Sequence, residues 1–335
     1  MSKDIRLQDL THWIHQETPE ATIEVASADA SFRRYFRVTH NGISTIAMDA
    51  PPEQEDCAPF IDVTQRLRKA GVHAPEIIRQ DLAQGFLLLE DFGNTPYLDK
   101  LNNANPDNNA DQLYGDALSA LLKIQKTDTQ GLPEYDDKLL LSEMQLMPEW
   151  FLKTHLGITA TTEQQKVIDR TLTVISTLVL QQPQVFVHRD YHSRNLMITQ
   201  QDNPGVIDYQ DAVLGPITYD LVSLLRDCYI SWPNEKIAEW GLNYKTQAEA
   251  AGLMEKVPDA TFIQWFDMMG LQRHIKVLGI FARLNHRDGK TNYLNDLPLT
   301  LHYVMQVGRK YSLVRPLIDL FNEWGVAEKI GSHES

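Results

Sequence analysis

Cysteine is nearly absent: Cys57 and Cys228 are the only two in 335 residues, and they stand far apart. That argues against a disulfide framework and a cysteine-based zinc site. Long apolar runs are missing too, and none approaches the roughly 20 residues that cross a bilayer. Basic residues are in deficit, 31 Lys and Arg against 45 Asp and Glu, for a net charge of −14. So acidic a chain argues against non-specific nucleic-acid binding and against anionic membranes, both of which select basic surface. The opening MSKDIRLQDL lacks the basic-then-apolar pattern of a signal peptide, so a cytoplasmic protein is expected. No internal repeat or low-complexity segment stands out. The length supports a large core split over two lobes.

The densest chemistry lies in Gln184–Asp227, QVFVHRDYHSRNLMITQQDNPGVIDYQDAVLGPITYDLVSLLRD. Val185–Val187 reads as an apolar strand and His188–Asn195 as a polar turn. Leu196–Ile198 reads as a second strand, Thr199–Asn203 as a reversal and Val206–Ile207 as a third strand. One β-ribbon is therefore expected to present Asp190, Asn195 and Asp208 at neighbouring strand ends. Phosphoryl transfer needs that set. Asp190 can accept the proton of an attacking hydroxyl, while Asn195 and Asp208 supply hard oxygen ligands for Mg²⁺ on nucleotide phosphates. H-R-D-x-x-x-x-N followed by a strand-borne Asp resembles the kinase signature.

The residues after Asp208 narrow the resemblance. Between Asp208 and the helix opened by Tyr219-Asp220-Leu221-Val222 there is no Asp-Phe-Gly, no Ala-Pro-Glu and no room for a long activation loop. The pattern resembles the aminoglycoside phosphotransferase-like small-molecule kinases, in which H-x-D-x-x-x-x-N, I-D and a later D-L recur. The resemblance implies an α+β, two-lobed protein-kinase-like fold. A small β-rich nucleotide-binding lobe is expected over 1–91 and a large, mainly helical catalytic and acceptor-binding lobe over 92–335. Asp220 either caps its helix or, as the resemblance implies, braces the catalytic loop from below. His192, two beyond the catalytic Asp, either meets the γ-phosphate or orders the loop. His188 is read as a backbone brace of the same loop.

In the N-terminal stretch, a helical stripe over Ile5–Glu17 precedes strands at Thr22–Ala26, Phe32–Thr39 and Ile43–Met48, with an Asn41-Gly42 hairpin turn. The first connection, Ser27–Ser31, has no glycine, so the glycine-rich phosphate loop is missing. Methionine (Met48) stands where kinases carry their strand lysine, and the next helix has Asp62 but no glutamate to pair. Ser31 at the loop end, with Arg33 or Arg34 beside it, is the candidate phosphate contact, since arginine's fork suits phosphate oxygens. Strand alternation allows only one of the two to point inward. Gly85–Glu90 reads as a buried strand leading into a hinge, where backbone groups of Glu90 and Phe92 would meet adenine. The Asn-rich 94–109 reads as a loop, and Leu139–Leu156 as a helix broken near Pro148.

Five runs carry a closer resemblance: SFRRYFRV (Ser31–Val38), MDAPP (Met48–Pro52), the Glu143–Phe151 series, HRDYHSRNLM (His188–Met197), and QRHIKVLGIFARL with RDGK (Gln272–Leu284, Arg287–Lys290). They resemble the anomeric kinases of bacterial cell-wall recycling, which phosphorylate N-acetylmuramate and N-acetylglucosamine at C1. That resemblance implies ATP and Mg²⁺ as cofactors and a small-molecule sugar as acceptor. Lys276, Arg283 and Arg287 share a helical face that is either solvated or recognises an anionic group. Aminoglycoside, choline and other metabolite kinases of the same fold, and a non-catalytic pseudokinase-like binder, are the alternatives.

Overall fold

The structure, a computed structural model, describes residues 4–28, 32–103 and 106–331. The chain divides into two compact units: Met1–Pro96 with Asn195–Asp211, and Tyr97–Arg194 with Ala212–Ser335. The first opens with α1 (Ile5–His15), whose N-terminus is capped by the Asp4 carboxylate accepting from Leu7 N–H at 3.0 Å. Strands β1 (Thr22–Ala28), β2 (Arg34–His40) and β3 (Ile43–Asp49) come next, then α2 (Ala58–Lys69), β4 (Ile77–Asp81) and β5 (Phe86–Glu90). They form one antiparallel sheet of order β1-β2-β3-β5-β4. The β2–β3 turn needs left-handed backbone at both central residues, and Asn41 and Gly42 supply it at φ 51° and 78°. Alternation along β2 turns Phe36 and Val38 onto Leu10, Trp13 and Ile14 of α1, with Ala47 and Phe86 in the same cluster. Each large side chain so buried contributes about 1.5–3 kcal/mol.

The expected three-stranded ribbon does not form. Gln184–Val187 pairs with Val213–Pro216, a strand not expected from the sequence, while Leu196–Met197 pairs with Gly205–Val206. The segment between Val187 and Leu196 is not a hairpin turn, because its backbone is tied to the buried carboxylates of Asp220 and Asp227. Val213–Pro216 is the apolar partner left within reach.

The second unit is mainly helical. The Asn-rich stretch expected as a loop forms helices at Tyr97–Asn103 and Pro106–Gln125. Proline suits the first turn of the latter, where its missing N–H costs nothing, and Asp99 lies in the favourable first turn of the former. Asp137–Met144 is capped by Asp136, and a π-helix, Met147–His155, starts beside Pro148, where the break was expected. Thr162–Val179 begins with a reciprocal Thr161/Gln164 capping box. The 30-residue helix Asp259–Asp288 is buried through most of its middle and is the spine of the unit. Thus a small antiparallel sheet in one unit and a helical majority in the other match the α+β expectation. Among the described residues no helix is long and apolar enough to cross a membrane.

Candidate active site

The catalytic loop belongs to the second unit, and its backbone is fixed by two buried acids. Asp220, in the wholly buried helix Tyr219–Leu225, accepts from His188 N–H at 2.7 Å and from Arg189 N–H at 3.0 Å. Asp227, just beyond that helix, accepts from Ser193 N–H at 2.9 Å and from its hydroxyl at 2.5 Å. Tyr191 donates to Ala117 C=O at 2.7 Å, and Asp190 N–H is directed at His188 Nδ1 at 3.3 Å. Asp190 is thus held from both sides. Burial raises its affinity for a proton, but His192, Lys276, Arg273 and His188 outweigh that and keep its carboxyl below the ordinary carboxylate range. Burial lowers His192 in turn, while Asp227 and Asp190 pull the other way. The His192 Nδ1 is buried without a hydrogen-bond partner among the described residues.

Arg189 sits at φ 78°, a left-handed conformation costly for a side-chain-bearing residue. Its guanidinium reaches Glu143 at 2.6 Å. Lys276 Nζ lies 3.1 Å from the same carboxylate and donates to Tyr219 OH at 2.9 Å. Tyr135 OH also donates to Glu143. Burial raises Glu143, yet Lys276 and Arg189 outweigh it and hold the group ionised.

The expected metal ligands Asn195 and Asp208 belong to the first unit. The Asn195 amide Nδ2 donates to Asp208 Oδ2 at 3.1 Å, and the Asn195 C=O accepts from Ile207 N–H at 3.1 Å. Asp208 itself is left-handed at φ 66°. Gln210, which no sequence motif singles out, donates to Asp208 Oδ1 at 3.0 Å. Its Oε1 is buried without a hydrogen-bond partner among the described residues. Tyr209, between them, is anchored by stacking on Phe60 at 5.3 Å and by Thr64 Oγ1 at 2.8 Å.

Other expected residues fare differently. Ser31 lies outside the described residues. Arg34 is engaged: Asp49, fully buried, accepts from its Nη2 at 2.5 Å and from Arg6 Nε at 2.8 Å, and Asp4 takes its other end. Arg34 is thereby held on carboxylates at both ends, which favours Arg33 of the two expected phosphate contacts. Arg33 pairs with Glu55 at 3.0 Å. Glu90 uses its N–H on Glu76 C=O at 2.9 Å. The Phe92 ring is packed so closely on Gly205 that a Cβ there would meet it at 2.5 Å. The shared face of Lys276, Arg283 and Arg287 is not one site either. Lys276 is buried on Glu143, whereas exposed Arg287 bonds its neighbour Asp288 at 2.8 Å.

Asp227, Glu143 and Arg273 are site residues that the sequence did not single out. Asp227 had no helical-spacing signal, because the helix that carries Asp220 ends at Leu225. Arg273 lay inside the Gln272–Leu284 run with no role of its own, and its bond to Ser223 Oγ at 2.6 Å and its charge acting on Asp190 place it beside the loop.

Residues 22–257 match the phosphotransferase enzyme family. The chain is 46% identical over 324 residues to an N-acetylmuramate/N-acetylglucosamine kinase of Pseudomonas putida, covering 92% of this chain and 94% of that relative. A protein of the same name from Neisseria meningitidis serogroup B is 42% identical over 96% of each chain. Among solved structures, the choline kinase LicA from Streptococcus pneumoniae aligns with TM-score 0.63 at 9% identity, over 90% of this chain and 99% of that one. ADP-bound aminoglycoside phosphotransferase APH(2'')-Ib aligns with TM-score 0.59 at 13% identity, over 89% and 98%. At such identities the likeness shows the fold, the protein-kinase-like one expected from the sequence.

Proposed function

Because the chain belongs to the phosphotransferase enzyme family, we propose that it is a kinase moving the γ-phosphate of ATP to a hydroxyl of N-acetylmuramate or N-acetylglucosamine. The observation that carries this reading is a half-buried Asp190 on a loop clamped by Asp220 and Asp227, with the charges around it holding its carboxyl low. The names of relatives that match nearly the whole chain support the acceptor class. The C1 hydroxyl is the acceptor atom in this reading, since an anomeric hydroxyl is more acidic than other sugar alcohols.

In the reaction, Asp190 orients that hydroxyl and accepts its proton as the oxygen bonds to the γ-phosphorus. The bond from that phosphorus to the β,γ-bridging oxygen breaks, and ADP leaves with the electron pair. Asp220 and Asp227 hold the loop still, so the carboxylate is in place before the acceptor arrives. Asn195 and Asp208 fit Mg²⁺. They offer hard oxygens, the partners of Asp208 at Asn195 and Gln210 are neutral amides, and Gln210 adds an unpartnered buried oxygen. Mg²⁺ ordinarily takes only one or two carboxylates besides substrate phosphates, so a larger acidic cluster is not required. When bound, the ion supplies neutralising charge on the phosphates. With Glu90 N–H engaged, the Glu90 carbonyl and the Phe92 amide remain as the adenine contacts in this proposal, and Arg33 as the phosphate contact. The first unit is then the nucleotide lobe and the second the acceptor lobe. A cytoplasmic location, where ATP is present, goes with the same proposal.

The test is ATP consumption over a panel of amino sugars, aminoglycosides and choline, with NMR of the product. Turnover of N-acetylmuramate or N-acetylglucosamine with phosphorus on C1 is expected. Turnover of choline or aminoglycosides alone would replace the acceptor class, and phosphorus at another hydroxyl would replace the acceptor atom.

A further inference from the structure

Within the second unit, the loop that ends at Arg194 meets an aromatic surface. Arg194 sits over the Tyr229 ring, its guanidinium carbon 3.5 Å from the centroid. Tyr229 meets the His192 ring edge-on at 5.3 Å on the catalytic side. Beyond it, Phe281 stands 6.5 Å from Tyr229 and 5.2 Å from Tyr293. Tyr293 and Asp296 both come from the short 3-10 helix Thr291–Asp296. Asp296 is the one carboxylate near Arg194 among the described residues, and at 4.0 Å it is beyond hydrogen-bond reach.

This makes Arg194 unlike the protein's other site arginines. Arg34 is gripped by two carboxylates and Arg189 by one. Arg194 is exposed, held in position by a ring, and makes no hydrogen bond among the described residues. A guanidinium placed over a ring and gripped by no carboxylate keeps its N–H donors available, and its planar fork suits a carboxylate through two parallel bonds. It also sits four residues after Asp190 on the same loop, so whatever it grips is tethered close to the base.

The two sugars of the proposed function differ by a single group. N-acetylmuramate carries a lactyl ether ending in a carboxylate, and N-acetylglucosamine does not. Resting on that proposed function, we propose that Arg194 is the residue that reads this difference. It binds the lactyl carboxylate of the acidic sugar, with Tyr293 and Asp296 as the aromatic and polar rim of the acceptor site. With the neutral sugar the guanidinium stays over Tyr229, near Asp296.

Burial pushes the Asp296 carboxyl up to about 6, against the pull of Arg194. This agrees with a loose pair that a substrate carboxylate can replace. The inference also relocates anion recognition. It falls on the catalytic loop and Thr291–Asp296 rather than on the Lys276/Arg283/Arg287 face.

The experiment measures kcat/KM for both sugars with wild type, Arg194→Gln and Arg194→Lys. Because each ratio of the two sugars comes from one protein sample, any loss of folded enzyme cancels. Arg194→Gln is expected to shift the ratio against the carboxylate sugar by about ten- to a hundredfold, the size of one charge-assisted contact. That shift should sit in KM for N-acetylmuramate. Arg194→Lys keeps the charge without the flat fork and should recover part of the preference. A ratio unchanged within about twofold in Arg194→Gln overturns the inference while leaving the kinase reading intact. A wild type that phosphorylates neither sugar overturns both.

Discussion

The two halves of the candidate site are held by different means. In the catalytic loop, backbone N–H groups of His188, Arg189 and Ser193 are clamped by the buried carboxylates of Asp220 and Asp227. In the metal half, Asp208 is held by neutral side-chain amides of Asn195 and Gln210, at 3.1 and 3.0 Å. Both sets join an amide N–H to a carboxyl group. The loop's acids are fully buried and bind backbone that cannot swing away. Asp208 is only partly buried, and its donors are side-chain amides that can rotate off it. A base must wait in one place for its proton. A metal ligand must give up its resting partners when a cation arrives. Under the proposed function, the difference between the halves suits those two tasks.

The largest effect that can break this comparison is at Asp190. Asp190→Asn removes the proton acceptor and should cut kcat by about a thousandfold, within the range of general-base catalysis. ATP affinity, read by isothermal titration, should change little. Activity within tenfold of wild type would take Asp190 out of the role.

Next come the metal ligands. Asp208→Ala should cost more than about a hundredfold in kcat, because even residues that only support metal ligands cost ten- to a hundredfold. Asn195→Ala should be milder, since one carboxylate remains. Both should raise the Mn²⁺ concentration needed for half-saturation, followed by electron paramagnetic resonance with a non-hydrolysable ATP analogue. Unchanged Mn²⁺ binding in both variants would remove the metal assignment and, with it, the contrast between the halves.

Asp220 tests the stiff half. Asp220→Asn replaces one acceptor oxygen with an amide donor facing a backbone N–H, leaving that N–H unpaired at about 1–3 kcal/mol. A loop shifted by such a clash should lower kcat by about a hundredfold with little change in Mn²⁺ binding. The pH dependence carries a second signature. Burial lifts the Asp220 carboxyl to about 7, against the two backbone N–H groups and Arg273, with Asp190 adding to the rise. A carboxyl whose folded-state value lies above its unfolded one binds more protons when folded, so stability is lost as pH rises between the two. Wild type should therefore lose stability from pH 5 to 7 relative to Asp220→Asn, and the gap between them should narrow. Parallel denaturation curves across that range would mean Asp220 carries no such proton.

How far the sequence reaches depends on where each residue finds its partners. The spacing of Asp190 and Asn195 and the strand before Asp208 are local, so the chemistry was legible from one stretch of chain. Asp220 was legible as a brace because D-L on a helix accompanies that motif. Strand pairing was not: Val213–Pro216 displaced the expected ribbon partner because the intervening loop is shaped by Asp220 and Asp227, not by turn residues. Arg34 misled for a similar reason. Its neighbours on the strand say nothing of Asp4, Asp49 and Arg6, which become its partners only when α1 packs on the sheet.

That network sets up the smallest effect. Arg33 and Arg34 are adjacent in sequence but differ in what holds them. Arg34 shares the fully buried Asp49 with Arg6, and its own side chain is 36% exposed. Arg34→Ala leaves Asp49 with one guanidinium instead of two, so a buried charge keeps a partner and the loss should be about 1–2 kcal/mol rather than the 3–5 of a fully broken pair. ATP affinity should stay near wild type. Arg33 rests on Glu55 at 3.0 Å, a carboxylate that a nucleotide phosphate can displace. Arg33→Ala should then weaken ATP by about tenfold and, because Arg33 is itself buried on Glu55, lower the melting temperature as well. Opposite outcomes, with Arg34→Ala losing ATP and Arg33→Ala losing only stability, would return the phosphate contact to Arg34. The network of Asp4, Asp49 and Arg6 would then be a resting state that opens when nucleotide binds.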